Sequence, residues 1–219
     1  MQIAVVGGHG QIARLLHPLL VSAGHTPVAL VRGEEQGAAV EALGAQGRLL
    51  DIERADADGF AQAFAGCDAV VFAAGGGPDG NAERKRTVDL GGALKSIEAA
   101  RMLGIRRFVQ VSAIDVDDPV ADDTGAVWRA YVEAKRDADV ALRASDLDWT
   151  ILRPGRLTDD APTGLVDLGP DVPRGDVTRA DVAAVLAAVL DRADTAGHQW
   201  NLVGGDLPVT AAIDAAVQR

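Results

Sequence analysis

The 219-residue chain holds one cysteine, one tyrosine and three lysines. The lone cysteine, Cys67, excludes an internal disulfide framework, fits a reducing compartment and reads as a small buried hydrophobe. Positive charge is also scarce: 21 Lys and Arg stand against 32 Asp and Glu, a net charge of −11. That balance argues against general binding to nucleic acid or to an anionic membrane. Any anionic ligand must be held by a local cluster of positive groups. The longest hydrophobic run, "VAAVLAAVL" at 182–190, is too short to span a bilayer. The chain opens on "MQIAVVGG" with neither a basic n-region nor an apolar h-region, so a cytoplasmic location is expected. Repeats, low-complexity tracts and linkers are missing, and residues 1–219 read as one domain.

What is present is an alternation. Short apolar runs at 3–6, 28–31, 48–50, 69–72, 108–111, 150–152 and 200–203 read as strands, mostly apolar on both faces. Residues 11–23, 34–43, 58–65, 82–103, 123–145, 178–191 and 208–217 read as helices. Leu15, Leu16, Leu19 and Leu20 form the apolar stripe of the first helix, and Thr178 reads as the N-cap of the helix that follows it. Alternating β and α elements predict an α/β fold: a doubly wound parallel sheet of Rossmann type with helices on both faces. Residues 153–177 read as an irregular excursion with one short strand near 164–168.

"AVVGGHGQIARLL" places Gly7, Gly8 and Gly10 between the first strand and the first helix, with Ala13 as the third small residue. Glycines there permit a tight turn and close approach of a pyrophosphate. Free N–H groups from Gly10 through Gln11 to Ile12 would bind its oxygens. The second strand ends in Arg32, suited to forking onto a 2′-phosphate, with His9 and Arg14 nearby. The cofactor expected is NADP. Glu34 and Glu35 beside Arg32 leave NAD open, and Arg32 paired with one of them is the plainer reading. Ligands sit at the carboxyl ends of such strands. So "LLDIE" would bring Asp51 and Ile52 to the adenine, and "VFAAGGG" would bring Ala73, Ala74 and Gly75 to the ribose and nicotinamide.

Tyr131 and Lys135 in "AYVEAKRDAD" stand four apart, on one helix face. A lysine falls at a given offset from the one tyrosine by chance in roughly 1–2% of such compositions. A nearby ammonium and an oxidised nicotinamide favour phenolate over a free phenol. Tyr131 would then exchange a proton with an alcohol or carbonyl as hydride moves. The plainer reading puts Tyr131 on an apolar stripe with Val127, Ala134, Ala138, Ala141 and Leu142, and pairs Lys135 with Asp139. His17, His25 and His198 are scattered and suggest no metal site.

Together "VVGGHGQIA", "ALVR", "LLDIE", "VFAAG", "VDLGGALKSIEAARMLGIRRFVQVSA", "YVEAK", "LDWTILRPG" and "DVAAVLAAVL…WNLVGG" resemble the short-chain dehydrogenase/reductase superfamily, in its atypical group of NAD(P)H-binding, epimerase-like proteins. The resemblance covers nearly the whole chain. It implies a catalytic set of Ser112, Tyr131 and Lys135, with Ser112 on the substrate oxygen, Lys135 also on the nicotinamide ribose, and Pro154 beside the cofactor. Asp89 stands where active members carry asparagine, which a carboxylate cannot replace as a donor. The leading expectation is an NADP-dependent oxidoreductase acting on a small carbonyl or alcohol. An NADP-binding regulatory or redox-sensing protein without turnover and a sugar-nucleotide epimerase or dehydratase compete with it. A small-molecule substrate is the one partner expected, and the oligomeric state is left open. The pocket wall is expected from 75–86, 113–127 and 155–176, with Trp128 and Leu157 adding apolar surface.

Overall fold

The computed structural model describes residues 1–77, 79–121 and 123–219. Eleven strands and eight α-helices are described: β1 (Gln2–Val6), α1 (Gln11–Ser22), β2 (Thr26–Val31), α2 (Glu34–Glu41), β3 (Gln46–Leu49), α3 (Ala57–Phe64) and β4 (Ala69–Phe72) come first. Next are α4 (Ala82–Arg84), a π-helical turn (Lys85–Leu90), α5 (Gly91–Met102), β5 (Arg107–Val111), α6 (Ala126–Arg143) and β6 (Asp148–Pro154). The chain ends with β7 (Arg156–Thr158), β8 (Leu165–Gly169), β9 (Asp176–Thr178), α7 (Arg179–Leu190), β10 (His198–Gly204), β11 (Leu207–Pro208) and α8 (Val209–Val217). Among the described residues no helix is long and apolar enough to cross a membrane.

Nine strands form one sheet in the order β11-β8-β10-β6-β5-β4-β1-β2-β3. Successive residues of a strand face opposite sides, so β1 feeds two cores at once. Ile3 and Val5 pack with Leu16, Val109 and Leu186 on one face. Ala4 and Val6 pack with Phe60, Phe72 and Phe108 on the other. From β1 the order runs to β2 on one side and to β4 on the other, which opens a crevice at the carboxyl ends of β1 and β4. Thr178 caps α7: its Oγ1 accepts from the Asp181 amide at 2.9 Å, and the hydroxyl donates to the Asp181 carboxylate at 2.9 Å.

The expected doubly wound α/β fold is present and its sheet is mostly parallel, with two antiparallel additions: β8 runs antiparallel to β10, and β11 antiparallel to β8. No helix separates β6 from β8, so the chain enters β8 antiparallel to the direction that β6 and β10 share. Three expectations need correction. The 153–177 excursion holds β7, β8 and β9 rather than one strand, and β7 pairs with β9 in a sheet of their own. In α1 only Leu16 and Leu20 of the four leucines are buried, together with Ala13 and His17. Four leucines at 15, 16, 19 and 20 are too wide for one contact face, and Leu15 and Leu19 face out. Finally, the helix expected over 82–103 is interrupted by the π turn, and that expected over 123–145 starts at Ala126.

Candidate active site

Gly7 sits at φ +78°, and a Cβ there would lie 2.7 Å from the Ala74 Cα. Gly8 donates to the Leu30 carbonyl at 3.0 Å, and its Cβ would lie 2.7 Å from the Ala29 Cβ. These two glycines therefore let the loop nestle between β2 and β4. The His17 ring Nε2 meets the Gly8 carbonyl at 2.7 Å, and burial pushes that imidazole's pKa down, so a neutral ring tethers the loop from below. Gly10 is exposed, and its amide donates to the Gly7 carbonyl at 2.8 Å. It is thus not itself a free donor, as the sequence had suggested. Gly10 is the N-cap of α1 and brings no side-chain cap, so the first-turn amides from Gln11 onward are left for an anion.

A cavity of about 220 Å³ opens above this loop. His9, Arg32, Asp51, Ile52, Ala73 and Gly75 line it, as the sequence suggested. Among the described residues no carboxylate lies within ion-pair distance of Arg32, so the plainer alternative, a pairing with Glu34 or Glu35, is not made. The Asp51 carboxylate already accepts from the Glu53 amide at 3.0 Å and lies 3.5 Å from Arg54. Ile52 is braced from behind, because the Lys95 ammonium donates to the Ile52 carbonyl. Gly92 leaves the space that the Ile52 side chain fills, since a Cβ there would lie 2.7 Å from it.

Ala73, Ala74 and Gly75 also line a second cavity, of about 1290 Å³, so the two join into one crevice. Ile12, Asp89, Ser112, Tyr131, Lys135 and Pro154 line the second part. The wall arises from Gly75–Gly77, Ala113, Ile114, Gly125–Trp128, Gly155–Leu157 and Arg174–Asp176, including Trp128 and Leu157. The sequence had pointed to these irregular stretches.

The Lys135 ammonium donates to the Val111 carbonyl at 3.1 Å and lies 3.4 Å from the Asp89 carboxylate. It does not pair with Asp139. Burial opposes its charge, but Asp89, Tyr131 and Asp139 outweigh burial, so the pKa is raised and the ammonium persists. Asp89 also accepts from the Gly76 amide at 2.8 Å, which ties the loop after β4 to the π turn. Both neighbours of this carboxylate are donors. An asparagine would have to aim an N–H₂ group at the ammonium, so aspartate is what this site calls for.

Tyr131 lies at the cavity edge, half-buried, its ring 5.2 Å from that of Trp128 and 6.0 Å from the Lys135 ammonium. Its pKa moves opposite to the simple expectation. Burial raises it above the ordinary value of 10, Lys135 lowers it, and Asp89 and Asp139 add to the rise. The phenol is therefore held in its neutral, proton-donating form.

The sequence reading missed a buried polar cluster beneath these residues. The Ser112 hydroxyl donates to Asp139 at 2.8 Å, Gln110 donates to it at 2.7 Å, and the Arg153 Nε donates at 2.9 Å. Arg153 also reaches Asp117 at 2.6 Å. Burial raises the Asp139 pKa, against Arg153, Ser112 and Gln110. With its hydrogen turned to Asp139, Ser112 presents lone pairs to the cavity, and so suits a hydroxyl donor rather than a carbonyl oxygen.

A glycine loop at a sheet switch point, uncapped helix amides and a Tyr-Lys pair in one crevice are the features of a dinucleotide-binding α/β domain. The chain belongs to the NAD(P)H-binding family, which matches residues 7–193. It is 38% identical over 214 residues to the uncharacterized sugar epimerase YhfK of Bacillus subtilis, covering 97% of this chain and 99% of that protein. A Bacillus halodurans structure, whose name proposes an NAD-dependent epimerase/dehydratase, is 40% identical with a TM-score of 0.91, over 98% of this chain and 99% of that one. The oxidoreductase ylbE of Lactococcus lactis is 25% identical with a TM-score of 0.87, over 100% of this chain and 98% of that one.

Proposed function

We propose that the chain is an NADP-dependent oxidoreductase that reduces a small carbonyl compound, with Tyr131 as the proton donor. The observation that carries this reading is the continuity of the crevice: Arg32 and the glycine loop line one part, Ser112, Tyr131 and Lys135 the other, and Ala73, Ala74 and Gly75 belong to both. Bound NADPH would supply hydride. The amides of α1 would hold its pyrophosphate, Arg32 the 2′-phosphate, and Lys135 the ribose hydroxyls. Tyr131 would give its proton to the carbonyl oxygen, and the Lys135 ammonium would steady the phenolate left behind. Ser112 would then accept from the new hydroxyl. Asp139 and Arg153 fix the serine's orientation.

Cofactor preference is a first test. The name of the Bacillus halodurans relative points to NAD. An unpaired guanidinium at the end of β2 argues for NADP here. Arg32→Ala is expected to weaken NADP binding by about 1–3 kcal/mol, the size of a charge-assisted hydrogen bond, and to change NAD binding little. Equal wild-type affinities for the two cofactors by calorimetry would refute the clamp.

The direction of the Tyr131 shift sets a second test. The raised pKa keeps the acid form present below it and removes that form only as pH climbs through it. Carbonyl reduction at saturating NADPH should therefore stay level from about pH 7 to about pH 9 and fall only in strongly alkaline solution. A decline already complete by about pH 8 would point to a different donor.

The epimerase reading rests on the names of two relatives. It is separated by stoichiometry. An epimerase returns its hydride, so it consumes no NADPH, whereas a reductase oxidises one NADPH per product.

A further inference from the structure

Lys85 is one of the three lysines of the chain, and it faces the second cavity. It opens the π-helical turn that also carries Asp89, and both side chains are buried. Short π-helical segments inside helices recur at functional sites, since the extra residue re-aims side chains. The Lys85 residue is only 7% exposed. Its ammonium donates to the Gly77 carbonyl, and among the described residues no carboxylate lies within ion-pair distance of it. Taking an ammonium out of water is costly unless an opposite charge is supplied.

The other cations of this cavity are compensated. Lys135 faces Asp89, Arg156 pairs with Asp176, Arg174 with Asp115, and Arg179 with Asp159 at 2.8 Å. Lys85 is left without an ion pair, on the same turn that packs against the Tyr131 helix: Asp79 feels its charge but is already paired with Arg84 at 2.6 Å. The same cavity has apolar surface on its lining: Trp128, which is 56% exposed, with Val127, Ile114 and Leu157. An indole this exposed at a cavity mouth offers a flat face for a ring system to stack on.

We propose that the second cavity takes a small molecule with one carboxylate on an apolar, ring-bearing body, and that Lys85 selects for the carboxylate. This rests on the reading of the crevice as a cofactor-plus-substrate site. One ammonium without an ion pair matches a monoanion, whereas a phosphate dianion would need a second such cation, and Arg156, Arg174 and Arg179 are already engaged.

The test uses 1-pyrenebutyrate and its uncharged counterpart 1-pyrenebutanol, titrated by fluorescence anisotropy into the full chain at saturating NADP. The carboxylate should bind about tenfold or more tightly than the alcohol. Lys85→Met should remove that preference and leave the alcohol unchanged. Lys85→Gln, which keeps a donor for the Gly77 carbonyl, should do the same if the methionine variant fails to fold. Arg174→Gln should leave both affinities within about twofold, as for an arginine already paired at the surface. Equal binding of the two probes to the wild type, or a preference that survives in both Lys85 variants, would overturn the proposal. So would an equal loss in Arg174→Gln, which would put the anion at the mouth. Intact NADP binding without a carboxylate preference would overturn this inference alone. A Lys85-dependent preference without NADPH turnover would support it and refute the reductase chemistry.

Discussion

Gly10→Val is expected to abolish dinucleotide binding while the protein still folds. The choice among the three glycines follows from what a Cβ would meet. At Gly7 the backbone is left-handed and a Cβ would lie 2.7 Å from the Ala74 Cα, so any side chain strains the turn itself. At Gly8 a side chain would drive into β2 beside Ala29. Substitutions there cost stability and cannot isolate binding. Gly10 has an ordinary extended backbone at φ −64°, ψ 159°, and its nearest neighbour for a Cβ is the Gly7 carbonyl at 3.1 Å. A small adjustment of the loop accommodates that contact. The branched methyls would then stand over the first turn of α1, where phosphate oxygens must approach the uncapped amides. Calorimetric titration with NADP should show no measurable binding, and the circular dichroism melt should shift by only a few degrees. Undiminished NADP affinity in a folded variant would mean that the pyrophosphate lies elsewhere.

The central strands were legible because they are covered on both faces. β1, β2 and β4 are near-continuous apolar runs, a signal that surface strands do not give. After β6 the strands expected near 164–168 and at 200–203 are there as β8 and β10. β7 and β9, of three residues each, and β11, of two, were not legible. Runs so short carry little periodicity, and their pairing direction depends on where the chain turns rather than on composition.

The site divides in the same way. The loops expected after β1 to β4 line the crevice through Gly7, His9, Gly10, Ile12, Arg32, Asp51, Ile52, Ala73, Ala74 and Gly75, whereas Gln11 and Arg14 are not on its lining; the order of β and α elements sets which loops converge at the switch point. Asp139 escaped because Lys135 and Asp139 are spaced like a surface ion pair. The sequence carries a sign against that pairing: Ala134, Ala138 and Leu142 give the face that holds both charges an apolar character, and all five are buried. Arg153, lodged in the apolar run "ILRP", was the matching sign. A charge inside a buried strand requires a partner from a facing helix, and Asp139 is that partner at 2.8 Å. Lys85 falls within the 75–86 stretch expected to line the pocket, but its burial gave no sign, since a π turn changes which residues share a face and leaves no pattern in the sequence.

Tyr131→Phe should reduce carbonyl reduction by about 10²-fold or more, the usual size of a general acid contribution. It should leave NADP affinity nearly unchanged. The phenylalanine ring keeps the contact with Trp128 and loses only the hydroxyl. No described hydrogen bond holds that hydroxyl, so its loss should not unsettle the fold. Lys135 cannot substitute as the donor. Its ammonium is fixed between Val111 and Asp89, and the surrounding charges raise its pKa, so it parts with a proton reluctantly. Ser112 cannot substitute either, because its hydrogen is directed to Asp139. Of the three side chains only the phenol combines a free donor, an opening to the cavity and a nearby positive charge to receive the resulting anion. NADPH oxidation measured at 340 nm on the best carbonyl from a substrate screen decides the matter. A variant that keeps the wild-type rate would return Tyr131 to a packing role, and the crevice would then belong to a cofactor-binding protein without turnover.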